Sequence, residues 1–275
     1  MCRIVPVTPS VTHEGDGVQH RRQLSQPRVA EMIADTLRRR ILDGELNDGD
    51  VLPKVDDLLV EFPVSKPSIR ESMRILETEG LISVRRGNIG GAVIHTPKAK
   101  MAAYMFGMVL QARQIPLADL AVALSEFEPA CAAEAAASTD RAELVATLVR
   151  LNQELEENID EGPAFTRLAR RFHDAVVQGC GNATMALVAG SLETLWSNHE
   201  SNWAEASTAH GDYPKAPARE AVLLTHVKIT EAIEEGDAVR SRHLVSQHLH
   251  ESQRYVLSRN KKQTITVEGL SRGTW

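Results

Sequence analysis

From residue 99 to residue 257 the apolar residues recur every three or four positions, and this one periodicity runs through more than half of a 275-residue chain. Chain breakers cut it at Gln114-Ile115-Pro116, Ser138-Thr139-Asp140, Gly162-Pro163, Gly179-Cys180-Gly181-Asn182 and Gly236-Asp237. The segments between them predict helices near 99–112, 117–138, 140–159, 163–179, 183–206, 218–235 and 237–258. Ala209–Pro217, with Gly211, Asp212 and Pro214 inside it, reads as the longest loop. No strand signal and no nucleotide-binding glycine pattern interrupts the series, so this part must fold as an all-α helical bundle. Lys261–Trp275 reads as a tail.

The N-terminal third is built differently. Val29, Ile33, Leu37 and Ile41 repeat every four residues, and Gly44 stops that helix. Asn47-Asp48-Gly49-Asp50 signals a turn, and a second short helix follows around Val55–Phe62. A third helix spans Val64–Leu76, with Ser65 as its cap and Pro67 in its first turn. Ile69, Met73 and Leu76 form its dry face, while Lys66, Arg70 and Arg74 form a cationic row on another. Leu81–Arg86 and Ala92–Ile94 read as two strands around the glycine-rich turn Gly87–Gly91. Three helices and a hairpin tipped by Arg85, Arg86 and Gly87 make a winged helix-turn-helix. A helix with a dry face, a cationic face and a hydroxyl-rich start suits the DNA major groove, and arginine beside glycine suits the minor groove.

Charge agrees with this division. The formal net charge is −6, but residues 21–100 carry 14 Lys and Arg against 12 Asp and Glu, while residues 101–275 carry 16 against 23. An acidic C-terminal part is repelled from DNA, so contact must come from the N-terminal third. At 43% hydrophobic the chain can bury sizeable cores, yet no apolar run approaches the roughly 18 residues of a membrane span. Residues 1–26 lack an apolar h-region and read as a disordered arm. Three cysteines without C-x-x-C spacing (Cys2, Cys131, Cys180) fit reduced thiols in a cytoplasmic protein.

Ile41-x-x-Gly44, Gly49, Leu52-Pro53, Leu58, Val64-Ser65-Lys66-x-Ser68-Ile69-Arg70-Glu71, Leu76-x-x-x-Gly80-Leu81 and the glycine-rich wing resemble the N-terminal domain of GntR-type bacterial regulators. The resemblance implies that Ser65, Lys66, Ser68 and Arg70 touch phosphates and bases, and that Gly87 enters the minor groove. Arg74 and Arg86 join them on the cationic row and at the wing tip. Lys54, Asp56 and Pro67 depart from the family's usual residues, so the operator cannot be copied from relatives.

The helical part resembles the FCD ligand-sensing domain of the FadR branch, through Glu128-Pro129, Ala132-Ala133, Phe172-His173, Asn182, His226, Ala232-Ile233, Gly236-Asp237 and His248. His173, His226 and His248 fall on or beside the inward faces of three helices, where imidazoles are a good set of ligands for a divalent metal such as Zn, Ni or Mn. The resemblance places an effector pocket at Glu128 and these three histidines. Relatives add an Asp where Ala169 stands and an Arg where Leu124 stands; both losses imply a less polar pocket, for an organic acid or a lipophilic, acyl-type ligand. Trp196 and Trp203, seven apart, favour core packing over a pocket wall, and the other histidines, His199 among them, read as surface residues.

These residues lead to the expectation of a mainly α protein, with an arm at 1–26, a winged helix-turn-helix at 27–96, a helical FCD-type domain at 97–258 and a tail at 259–275. The expected function is an effector-responsive regulator of transcription, a repressor, binding a pseudo-palindromic double-stranded DNA operator as a homodimer, with no membrane partner. The competing readings are a metal-dependent helical enzyme with an appended DNA module, and an architectural DNA binder without ligand. No Ser/His/Asp or Cys/His arrangement has a supporting local signature, so the chain is not expected to be an enzyme.

Overall fold

A computed structural model describes residues 26–85, 91–259 and 263–270. The chain divides into two compact units between Thr96 and Pro97. Of the expected arm at 1–26, residues 1–25 lie outside the described residues and Gln26 begins the first helix.

The N-terminal unit holds α1 (Gln26–Leu42), α2 (Val55–Glu61), α3 (Lys66–Thr78) and the antiparallel pair β1 (Ile82–Arg85) and β2 (Gly91–Ile94). Ile33, Leu37 and Ile41 on α1 bury against Leu58 on α2 and Ile69 and Leu76 on α3, and Leu81, Ile82 and Ile94 close the core from the hairpin. Ile82 pairs with Ile94 and Arg85 with Gly91, which fixes the wing's register. Ser65 Oγ accepts the backbone N–H of Ser68 at 3.3 Å, capping α3. At its other end Gly80, at φ +77°, turns the chain so that Leu81 N–H reaches the Leu76 carbonyl and β1 can begin. Arg38 Nε donates to Glu79 Oε2 at 2.8 Å and ties α1 to the end of α3.

The C-terminal unit contains α4 (Ala99–Ala112), α5 (Leu117–Ala137), α6 (Ala142–Glu157), α7 (Gly162–Gln178), α8 (Ala183–His210), α9 (Ala216–Glu234) and α10 (Ala238–Arg259). Helix α5 is central: it touches α7, α8, α9 and α10. Its small residues Ala132, Ala135 and Ala136 are fully buried, so neighbouring helices approach closely. Three apolar clusters fill the unit, one around Leu120, Leu124, Leu195 and Trp196, one around Phe172, Val176, Ile229, Ile233 and Val245, and a smaller one around Cys131, Val177, Cys180 and Ala189. Helix α8 runs four residues past its expected end at 206, because the chain meets no breaker until Gly211 caps it at φ +75°.

The expected tail is corrected by the structure. Residues 263–270 form a strap on the helical unit: Ile265 is fully buried, its N–H donates to the Ile115 carbonyl at 3.0 Å, and Leu117 N–H donates to the Gln263 carbonyl at 2.8 Å. His199, expected at the surface, is buried beneath it. Its Nε2 accepts the Thr266 N–H at 3.2 Å, and its Nδ1 lies 3.1 Å from the Gln263 side-chain amide nitrogen. A polar residue inside an otherwise helical face gives no sequence signal of burial when its partners lie 64 and 67 positions away.

Burial lowers the His199 pKa below its ordinary value. Such a group contributes stability that is fully present above the unfolded value, about 6.5, and is lost as pH falls through the folded one. Urea unfolding of wild type and His199→Gln should therefore differ most at pH 7.5, with the gap narrowing toward pH 5. A gap that widens on acidification would contradict this account of the ring.

Candidate functional site

His173 on α7, His226 on α9 and His248 on α10 meet at one point. His248 Nε2 lies 3.2 Å from His173 Nε2 and 3.1 Å from His226 Nε2. All three rings are enclosed, and Phe172 stacks on His226 with centroids 4.0 Å apart and planes 9° apart. Behind His173, the fully buried Glu128 bonds its Nδ1 through Oε1. Burial would lower the His173 pKa, but the Glu128 carboxylate outweighs it and raises the value to about 9. His226 and His248 have no such partner. Burial, with help from the neighbouring rings, holds both neutral, His248 at about 3.

These residues fit a divalent cation. Three imidazole nitrogens sharing a cation at about 2.0–2.1 Å stand roughly 3.0–3.4 Å apart, and the two spacings found here fall in that range. With its value raised, His173 holds protons on both nitrogens until a cation displaces the one on Nε2; Glu128 would then keep Nδ1–H and leave the Nε2 lone pair toward the other rings, as carboxylates behind metal-bound histidines do. Glu128 Oε2 and His226 Nδ1 are buried without a protein partner. Ala169, one turn before His173, adds no fourth ligand.

A cavity of about 560 Å³ opens from this point. His173, His248 and Ala169 line it; Glu128 and His226 stand behind its wall. Its register is shared by four helices, because residues seven apart lie on one helix face about 10 Å apart along the axis. At the triad's level sit His173, His226, His248 and Glu193; seven residues along the same helices come Thr166, Arg219, Tyr255 and Glu200. Arg170 lies between the levels and spans them, donating from Nη2 to Glu193 Oε1 at 2.9 Å and from Nη1 to Glu200 Oε2 at 2.5 Å. Burial pushes Glu193 up to about 7, although Arg170 beside it pulls the other way. At the far level Thr166 and Tyr213 hydroxyls bond at 2.7 Å, and Trp203 packs with Tyr213 and Tyr255.

The cavity is thus more polar than the sequence implied. Leu124 is indeed buried in an apolar cluster, but Arg170 and Arg219 bring guanidinium groups to the cavity from α7 and α9. Trp196 and Trp203 both line it, and Trp196 also packs in the core. Sequence reasoning missed Arg170, Glu193, Glu200, Tyr213 and Arg219. Among them only Arg219 carried a signal, its place seven residues before His226.

The predicted DNA-contacting residues lie in the other unit. Arg70 and Arg74 are exposed on α3, with Arg74 Nη2 2.7 Å from Glu71 Oε1, and Lys66 Nζ reaches Asp56 Oδ1 at 2.7 Å. Ser65 is exposed at the helix start, whereas Ser68 is buried with its hydroxyl 2.9 Å from that of Ser65. Arg86 and Gly87 lie outside the described residues.

Residues 29–90 match the family model for bacterial regulatory proteins of the gntR family, and residues 119–251 match that for the FCD domain. The HTH-type transcriptional repressor NanR of Escherichia coli K12 is 24% identical over 235 residues, which are 83% of this chain and 84% of NanR. The solved structure of a Streptococcus agalactiae GntR is similar in fold, with a TM-score of 0.62 and 24% identity, over 82% of this chain and 99% of that one.

Removing Arg170 leaves Glu193 buried and unpaired, a defect of about 3–5 kcal/mol. Arg170→Met should lower the free energy of unfolding by that order at pH 8. The defect should shrink toward pH 5, where Glu193 takes a proton at less cost. A loss that is equal at both pH values would show that Arg170 acts by packing and not by charge.

Proposed function

The chain belongs to the GntR family of bacterial regulatory proteins and carries an FCD domain, and on that premise we propose that it is an effector-responsive transcriptional repressor. The observation that carries this reading is the division of α3 into two faces. Ile69, Ser72 and Leu76 are buried, while Lys66, Arg70 and Arg74 face outward along i, i+4, i+8. On a duplex, Lys66 and Ser65 contact phosphates and fix the register, and Arg70 with Arg74 reads base edges. The ion pairs of Lys66 with Asp56 and Arg74 with Glu71 are exposed, so exchanging them for phosphate costs little. Ser68 acts from inside, holding Ser65 in place through the hydroxyl pair.

The protein acts as a homodimer on a pseudo-palindromic operator. Met105, Phe106 and Val109 of α4 are exposed in the single chain, an apolar strip suited to a second copy. An effector in the cavity then changes DNA affinity only to the extent that it binds the DNA-competent and incompetent arrangements differently. His173, His226 and His248 hold a divalent metal such as zinc, which when bound supplies a positive charge and open ligand positions at one end of the cavity. Among the described residues no helix is long and apolar enough to cross a membrane.

Operator fragments selected by the wild-type protein from random-sequence duplex DNA provide the test. Arg70→Ala should weaken binding to them by about 1–3 kcal/mol per half-site in a gel-shift series. Full affinity in that variant would remove Arg70 from the interface. For the metal, elemental analysis after purification should find about one ion per chain in the wild type and none in His226→Ala. Glu128→Gln should bind zinc about 10–100-fold more weakly in chelator competition. Wild-type protein that stays metal-free when zinc is supplied would refute the metal site.

A further inference from the structure

Helix α9 lies between two hollows. Its Ala218, Ala221 and Thr225 line the cavity beside the histidines, while Glu220, Leu224 and Val227 line a separate groove of about 410 Å³ shared with α6. No described residue lines both. Along α9 the groove runs acid, apolar, acid: Glu220, then Leu223, Leu224 and Val227, then Glu231 and Glu234. Helix α6 adds Val149 and a fourth carboxylate, Glu156, and no Lys or Arg lines the groove. Among the described residues only Glu231 of the four has an ion pair, with Arg240 Nη2 at 3.5 Å. Asn152, only 8% exposed, lines the same groove. Its Nδ2 donates to Thr230 Oγ1 at 3.0 Å, and the Thr230 hydroxyl donates to the His226 carbonyl at 2.9 Å. With its one proton placed there, the Thr230 oxygen can only accept from Asn152, which fixes the amide's orientation. Asn152 Oδ1 is left buried with no partner among the described residues, an acceptor that calls for a donor.

We propose that this groove is a second ligand site and that it takes an aliphatic diamine. One ammonium, with three donors and no acceptor, meets Asn152 Oδ1 at the level of Thr230 and Glu231, and the other meets Glu220. The methylene chain between them covers Leu224 and Val149, which are 55% and 43% exposed, and takes their apolar surface out of water. Four carboxylates repel an anion, and a neutral diol leaves them without a charge partner. A quaternary ammonium has no N–H to offer Asn152. The site differs from the cavity beside the histidines in place and in the sign of the charge it accepts, so it stands apart from the effector reading. Thr230 and His226 share one turn of α9, which puts the groove's floor one hydrogen bond from the backbone of the histidine centre.

Three probes separate these cases in calorimetric titration of the full-length protein at low salt: 1,8-diaminooctane, octylamine and 1,8-octanediol. The diamine should bind about tenfold more tightly than octylamine, the scale of one charge-assisted contact, and the diol should not bind. Glu220→Gln, at an exposed position, should weaken the diamine about tenfold and leave octylamine unchanged. Asn152→Leu should weaken both amines by a similar factor. An unchanged thermal midpoint without probe confirms that Glu220→Gln is folded. Diamine that binds no better than octylamine, or not at all, overturns the proposal, and so does unaltered diamine affinity in Glu220→Gln. Glu143→Gln removes an exposed acid of α6 outside the groove and should change nothing. A loss there as large as at Glu220 would show that the amine reads overall charge and would also overturn the site.

Discussion

Arg170 is the side chain on which the helical unit's interior turns. It is bound to Glu193 and Glu200; Arg170 and Glu193 are both buried, while Glu200 keeps some exposure, so at least one charge pair sits largely away from water. Such a group is tolerable only as a set: two of the three members together are worse than none. The network also fixes the axial registration of α7 against α8, because one guanidinium must meet two carboxylates seven residues apart. Once that registration is set, His173 stands at the level of Glu193 and Thr166 at the level of Glu200. The position of every group along the cavity follows from it.

Glu128 plays a related part at the other side of His173. A carboxylate with no exposure, on the central helix, is a costly thing to bury, and among the described residues one imidazole is its hydrogen-bond partner. The cost secures the ring: Nδ1 is committed to Glu128, so Nε2 must face His248. The two buried clusters therefore divide the work, one setting position along the helices and the other setting the direction of a single ring.

Much of this was legible in the sequence. The helices between 99 and 258 announce themselves by period and by breakers, and α4 begins and ends where the pattern does, at 99 and 112. His173, His226 and His248 were found together because each sits on or beside an apolar stripe. What could not be read were partners set by tertiary registration. Arg170 looks like one of several arginines on α7, and nothing local separates it from Arg171, which pairs with Glu154 in solvent. Leu124 was read correctly as apolar, but the step to an apolar cavity failed because Arg219 reaches the same space from another helix. Ser68 and His199 misled in the same way: a polar side chain declares burial only through the partner that satisfies it.

The strap formed by residues 263–270 has a consequence for how the chain is made. Its hydrogen bonds go to Gln111, Ile115, Leu117, Asn198 and His199, all synthesised long before it. The ribosome delivers the N-terminal unit whole, with both wing strands present by Ile94, while the helical unit still lacks its last buried residue, Ile265. The order of synthesis thus gives a folded nucleic-acid module first and a finished sensing module last. Between those moments α8 carries an unfilled apolar seat at its middle, which Ile265 closes.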